Sequence, residues 1–166
     1  MSDSIADLVQ SLSAADSSER LAAAEALTRR GSEAVAAACA LVRACGDEDD
    51  QVRDWAVAAL EELPAPATDQ IGELAELLSH PQIDVAYWAA TLLGRMAAAA
   101  APAVNGLTTA LTSHRQAAVQ QRAAWALGRI GPAAQPARSA LQSAAASDDK
   151  ALARFASAAI ESIEAA

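Results

Sequence analysis

The chain has 166 residues, 53% of them hydrophobic but only 3% aromatic, and a net charge of −9. Alanine fills much of the apolar share; it favours helix and buries little area per residue, so the composition points to helices packed closely on small side chains and excludes a core of large aromatic knobs. An acidic chain is a poor match for duplex nucleic acid, whose binding rests on Lys and Arg contacts to phosphate, and for anionic membrane surfaces.

The first residues lack a basic region followed by a long apolar stretch and do not read as a signal peptide. From Leu8 onward the chain repeats itself, which decides the fold before any single element does. Repeat one (1–31) sets Leu8 and Leu12 on a first helix, breaks at Ala15-Asp16-Ser17-Ser18, and continues with Ala23, Ala26 and Leu27 on a second helix that ends at Gly31. Repeat two (32–64) has Leu41, a break over 46–50, then Val52, Ala56, Ala59 and Leu60, ending at Pro64. Its cysteines, Cys39 and Cys45, lie on one predicted helix. Six residues of helix rise about 9 Å, too far for a disulfide, so both are expected to be reduced core residues, which suits a cytoplasmic protein.

Repeat three (65–97) carries Ile71, Leu74 and Leu78, a break at Ser79-His80-Pro81, and Val85, Ala89, Leu92 and Leu93. The stretch from Met96 to Val104 is alanine broken by Pro102 and too short to span a bilayer. Repeat four (98–131) carries Val104, Leu107 and Leu111, a break at Thr112-Ser113-His114, and Val119, Ala123, Ala126, Leu127 and Ile130 before Gly131-Pro132. Repeat five (132–166) has Leu141, a break at Ser147-Asp148-Asp149, and Ala156, Ala159 and Ile160. The central residues of the second helices, Leu27, Leu60, Leu93, Leu127 and Ile160, are spaced 33, 33, 34 and 33; the first-helix leucines are spaced 33, 33, 33 and 34. Two registers with one period and one copy number are the signature of a repeat array. Asp and Ser at the breaks are natural N-caps, and glycine at a helix end accepts the left-handed backbone. On the second helix of repeat two, Val52, Ala56, Ala59, Leu60 and Leu63 fall within a sector about 100° wide. One helix pair cannot cover such a face; stacking the pairs does.

The stretch Asp49-Asp50-Gln51-Val52-Arg53, continuing to Ala59-Leu60, and the stretch Trp125-Ala126-Leu127-Gly128-Arg129-Ile130-Gly131 resemble the two halves of the HEAT-like repeat motif, in the short form also found in phycobilin lyases. The resemblance covers nearly the whole chain, as one domain over 1–166. It implies an all-α, right-handed solenoid of about five antiparallel helix pairs with the second helices on the concave side. Glu19, standing where valine is expected, and Arg154-Phe155 in repeat five depart from the motif, as terminal capping repeats do. The matching residues pack and turn; they name no chemistry.

No phosphate-binding, nucleophile-elbow, zinc-hydrolase or paired-cysteine motif occurs. His80 and His114 occupy one repeat position with no third metal ligand, and Asp47-Glu48-Asp49-Asp50 reads as a solvated capping cluster without calcium-loop spacing. The sequence therefore predicts no catalytic residues, no metal and no cofactor. Residues 1–63 hold 13 acidic and 5 basic side chains, net −8; residues 64–166 hold 8 and 7, net −1, and no acidic residue lies between Asp84 and Asp148. The outward positions of the second helices read Leu21/Glu25/Arg29, Asp54/Ala58/Glu62, Tyr87/Thr91/Arg95, Gln121/Trp125/Arg129 and Arg154/Ala158/Ser162. Trp, Tyr and Arg are the residues enriched in binding hot spots, so Tyr87, Thr91, Arg95, Gln121, Trp125 and Arg129 form the candidate site for a protein or peptide partner. Trp55, Trp88 and Phe155 share another position, five before the central residue, and read as a packing row. The expected function is a non-catalytic protein-interaction scaffold in the cytoplasm, with no membrane contact. The resemblance implies one alternative, a bilin-lyase-like or ligand-binding role in which Arg95 and Arg129 meet the acidic groups of a tetrapyrrole, and nucleic-acid binding as a lesser one.

Overall fold

The computed structural model describes residues 3–165 and contains, among them, only helices and turns. It divides into two compact units, one up to Ala67 and one from Thr68. The first holds α1 (Ile5–Ser11), α2 (Ser17–Arg30), α3 (Ala38–Ala44) and α4 (Asp50–Glu62). The second holds α5 (Ile71–Leu77), α6 (Ile83–Arg95), α7 (Val104–Ser113), α8 (Ala117–Ile130), α9 (Arg138–Ala145) and α10 (Lys150–Glu164). Odd-numbered helices are the short first members of each pair; even-numbered ones are the longer second members. In the first unit α2 packs on α4; in the second, α6, α8 and α10 form a row.

The two leucine registers are the core. Leu27, Leu60, Leu93 and Leu127 on the even helices, and Leu41, Leu74, Leu107 and Leu141 on the odd ones, are all 0% exposed. Each contributes about 2 kcal/mol of transfer free energy. Between them Ala56, Ala89, Ala123 and Ala156 are also fully buried, so neighbouring backbones approach closely. A Cβ added to Gly128 would lie 3.0 Å from the Ala159 Cα, the tightest expression of that approach. Ile160, the last of the central series, is only half-buried, as suits a terminal repeat.

Between repeats, the structure tightens into 3-10 turns at Gly31–Ala37, Ala97–Ala103 and Gly131–Ala137, where the sequence pattern shows only a link. These turns tuck Ala34, Ala100 and Ala134 completely into the core. Gly31 and Gly131 open two of them at φ +53° and +72°. Ala97 holds the same place in repeat three at φ +52°, where a Cβ crowds the backbone. Ala97→Gly is therefore expected to raise stability by about 1 kcal/mol, read from the midpoint of a urea melt; a lowered midpoint would count against strain at this turn. Pro64 in repeat two cannot take positive φ, and α4 ends instead on an extended Leu63 at ψ 136°.

The helix starts follow two designs. Asp16, Asp49 and Asp149 cap α2, α4 and α10, accepting from Ser18, Gln51 and both Ala151 and Leu152 N–H groups. Gln82 and Gln116 stand at the same place before α6 and α8 and make no side-chain cap. There the turn is held from two residues upstream. His80 Nδ1 accepts the Gln82 N–H at 3.3 Å and His114 Nδ1 accepts the Gln116 N–H at 3.2 Å. Asp47 and Ser147 do the same for Asp49 and Asp149. The histidines are thus turn acceptors at one repeat position. The acidic run of repeat two is likewise engaged: Asp47 and Glu48 hold Arg20, Asp49 caps α4, and Asp50 pairs with Arg53. Cys39 and Cys45 are buried, and the Cys45 thiol donates to the Leu41 carbonyl.

Candidate functional site

The outward face of α6 and α8 lies within the second unit. Tyr87, on the second turn of α6, is half-buried and stands edge-on to Trp88, ring centres 6.0 Å apart. From α8, the Arg122 guanidinium lies 4.4 Å from the Tyr87 ring centre and 5.0 Å from that of Trp125, and it donates to the Tyr87 hydroxyl. Arginine stacks on aromatic faces through both its charge and its flat shape, so the three side chains form one ladder across two helices. Trp125 reaches it because Gly94 has no side chain: a Cβ there would lie 2.2 Å from a Trp125 ring carbon.

The other expected site residues are placed as follows. Gln121 donates to Asp149 Oδ2 at 2.8 Å and so faces the next repeat. The Leu152 backbone N–H, the Gln121 amide and the Ala151 backbone N–H hold the Asp149 carboxyl below its usual range. Thr91 is 6% exposed, and its hydroxyl donates to the Tyr87 carbonyl at 2.8 Å, which places it beneath the face. Arg95 lies over Trp88 at 5.6 Å. Arg129 is exposed to solvent. The structure therefore brings Tyr87 and Trp125 to one residue, Arg122, which belongs to the basic stretch of the chain but not to the outward series. Arg122 stands five residues before Leu127, in the register that holds Trp55, Trp88 and Phe155; the period alone marks it as the place where a cation replaces an aromatic ring. That row is not uniform: Trp88 is buried, Phe155 half-buried, and Trp55 38% exposed.

A concavity of about 580 Å³ opens elsewhere in the same unit, between α5 and α7, lined by Ala75, Leu78, Gly106 and Ala110 with His114 and Arg115. Small side chains hold it open, and its polar groups are turn and helix residues. Among the described residues no group of three His, Cys, Asp or Glu could hold a metal ion, and no helix is long and apolar enough to cross a membrane. The α6/α8 face holds fixed aromatic surface and guanidinium donors, which suit recognition of planar and anionic groups.

The HEAT repeats family matches residues 71–163, more than half of the chain. The chain belongs to this family. Among solved structures it is similar to an engineered protein at 27% identity and TM-score 0.65, covering 97% of this chain and 79% of that one. A second engineered protein gives 28% identity and TM-score 0.62, covering 96% of this chain and 47% of the other. The complex of CpcE and CpcF of phycocyanin lyase from Nostoc sp. PCC7120 gives 23% identity and TM-score 0.64, covering 99% and 66%. A designed armadillo repeat protein in complex with the peptide (KR)4 gives 19% identity and TM-score 0.65, covering 96% and 81%. These neighbours place the HEAT chain among helical-repeat solenoids, a fold commonly used as a protein-interaction scaffold. No curated protein matches it.

Proposed function

We propose that this HEAT protein is a non-catalytic scaffold whose partner, a protein or peptide, docks on the outward face of α6 and α8. One observation carries the reading: Arg122 already lies against both the Tyr87 and the Trp125 rings, with Arg129 exposed two turns from Arg122 on the same helix. Pre-ordered aromatic and arginine side chains lose little entropy on binding, and they are the residue types that dominate binding energies. Gln121 bonds Asp149 on the next repeat, Arg95 lies over Trp88, and the Thr91 hydroxyl is satisfied by the Tyr87 carbonyl. The designed armadillo protein shows that a stack of similar fold accommodates a peptide.

The test is affinity capture from a native lysate with wild type beside a Trp125→Ala/Arg129→Ala double variant. A partner retained by wild type is expected to be lost from the variant by about tenfold or more, while circular dichroism shows both folded at the capture temperature. Equal retention by the two proteins would remove the face from consideration.

A further inference from the structure

Resting on that reading, we infer that the docked segment is acidic: an extended peptide whose Asp or Glu side chains meet Arg122, Arg129 and Arg154. The first unit pairs its arginines internally. Arg20 binds Asp47, Arg29 binds Glu25, Arg30 lies by Glu33 and Arg53 binds Asp50. On α8 and α10 the pattern reverses. Arg122, Arg129 and Arg154 have no carboxylate partner among the described residues; Arg122 lies against Tyr87 and Trp125, and Arg154 over Phe155 at 5.2 Å. α8 itself carries no acidic residue, since none occurs between Asp84 and Asp148; on α10, Glu164 pairs with Arg138 and Glu161 is exposed. Asp149, at the start of α10, is taken by Gln121 and by its own helix start.

A guanidinium grips a carboxylate with two parallel hydrogen bonds; Arg122 gives one N–H to the Tyr87 hydroxyl, and Arg129 and Arg154 are exposed. Arg122 and Arg129 stand seven residues apart on one helix face, about 10 Å along the axis. An extended chain advances about 3.3 Å per residue, so acidic side chains about three residues apart would meet both. Arg154 on α10 occupies the register of Gln121 on α8 and offers a third contact on the neighbouring helix.

The test measures fluorescence anisotropy of a labelled Glu-Ala-Gly repeat peptide against the whole chain, beside its Gln-Ala-Gly and Lys-Ala-Gly counterparts and a labelled oligothymidine. The Glu peptide is expected to bind about tenfold or more tightly than the Gln peptide, to weaken with added salt, and to lose that advantage with Arg122→Gln/Arg129→Gln. Arg129→Gln/Arg154→Gln changes exposed side chains only and is expected to lower affinity without altering the melt. Equal affinity for Glu and Gln peptides, preference for the Lys peptide, or tighter binding of oligothymidine would each overturn the inference. If the Glu peptide fails while lysate capture still depends on Trp125 and Arg129, the scaffold reading stands and only the acidic partner falls.

Discussion

Asp47→Ala is expected to cost the chain roughly 2–4 kcal/mol, read as a lowered urea midpoint at neutral pH. Arg20 is 7% exposed, and its donors are fully committed. Its Nε gives 2.7 Å to Asp47 Oδ2, one terminal nitrogen gives 2.9 Å to Asp47 Oδ1 and 3.3 Å to Glu48, and the other reaches the Ala14 and Ala15 carbonyls at 3.0 and 3.1 Å. Removing Asp47 takes the bidentate partner from a buried cation and leaves only the exposed Glu48 carboxylate. It also orphans the Asp49 N–H, which Asp47 accepts at 2.9 Å. Because the penalty belongs to the unpaired charge and not to the pair, Arg20→Met with Asp47→Ala is expected to recover much of the loss. A double variant no better than the single one would contradict this.

The same contact sets an acid limit. Burial alone would raise the Asp47 carboxyl, but the Arg20 guanidinium, the Asp49 N–H and the charge of Arg53 outweigh it, and its pKa lies below the usual 3.8. A carboxyl depressed in the folded state stabilises fully above its unfolded pKa and loses that contribution as pH falls through its folded value. Wild-type stability should therefore fall in acid below about pH 4, with Asp149 contributing in the same direction. The gap between wild type and Asp47→Ala should narrow over that window.

Much of this fold is legible because a repeat prints its core five times. Leu74 and Leu107 are buried where the spacing puts them, and Gly131 has the positive φ that a glycine at a helix end accepts. What is hidden is where motif positions change jobs. Arg20 and Arg53 reach back to the carbonyls at 14, 15, 47 and 48, and Gln120 does the same to His114. Repeat three has Ala86 at that position, which cannot donate; His114 Nε2 lies 3.3 Å from the stranded His80 carbonyl instead. Periodicity marks both histidines, but only the three-dimensional pairing explains them. The candidate site behaves similarly. Outward angles select Tyr87 and Trp125, whereas their partner Arg122 sits in a register that repeats two, three and five fill with rings. Thr91 lies in the outward series yet is covered, and its hydroxyl tolerates that burial by donating to the Tyr87 carbonyl.

Gly94→Ala should destabilise by roughly 2 kcal/mol, against the sign that helix propensity alone dictates. Inside a helix, alanine is better than glycine by about 1 kcal/mol. Gly94 lies in α6, and a Cβ there would stand 2.2, 2.8 and 2.9 Å from three Trp125 ring atoms. An indole ring has no internal torsion to absorb such overlap, so Trp125 must leave its place, and Arg122 then loses one of its two rings. Gly72, on α5, has nothing within 4 Å of its would-be Cβ, so Gly72→Ala should instead gain about 0.5 kcal/mol. In the Trp125→Ala background the clash is absent, and Gly94→Ala should turn neutral or stabilising. That reversal of sign, measured by chemical melts of the four proteins in the cycle, assigns the cost to the contact. If Gly94→Ala stabilises the otherwise wild-type chain, Trp125 does not rest on α6 and the Tyr87–Arg122–Trp125 ladder loses its support. If it destabilises and also weakens partner capture, a residue with no side chain controls the binding face by positioning the ring above it.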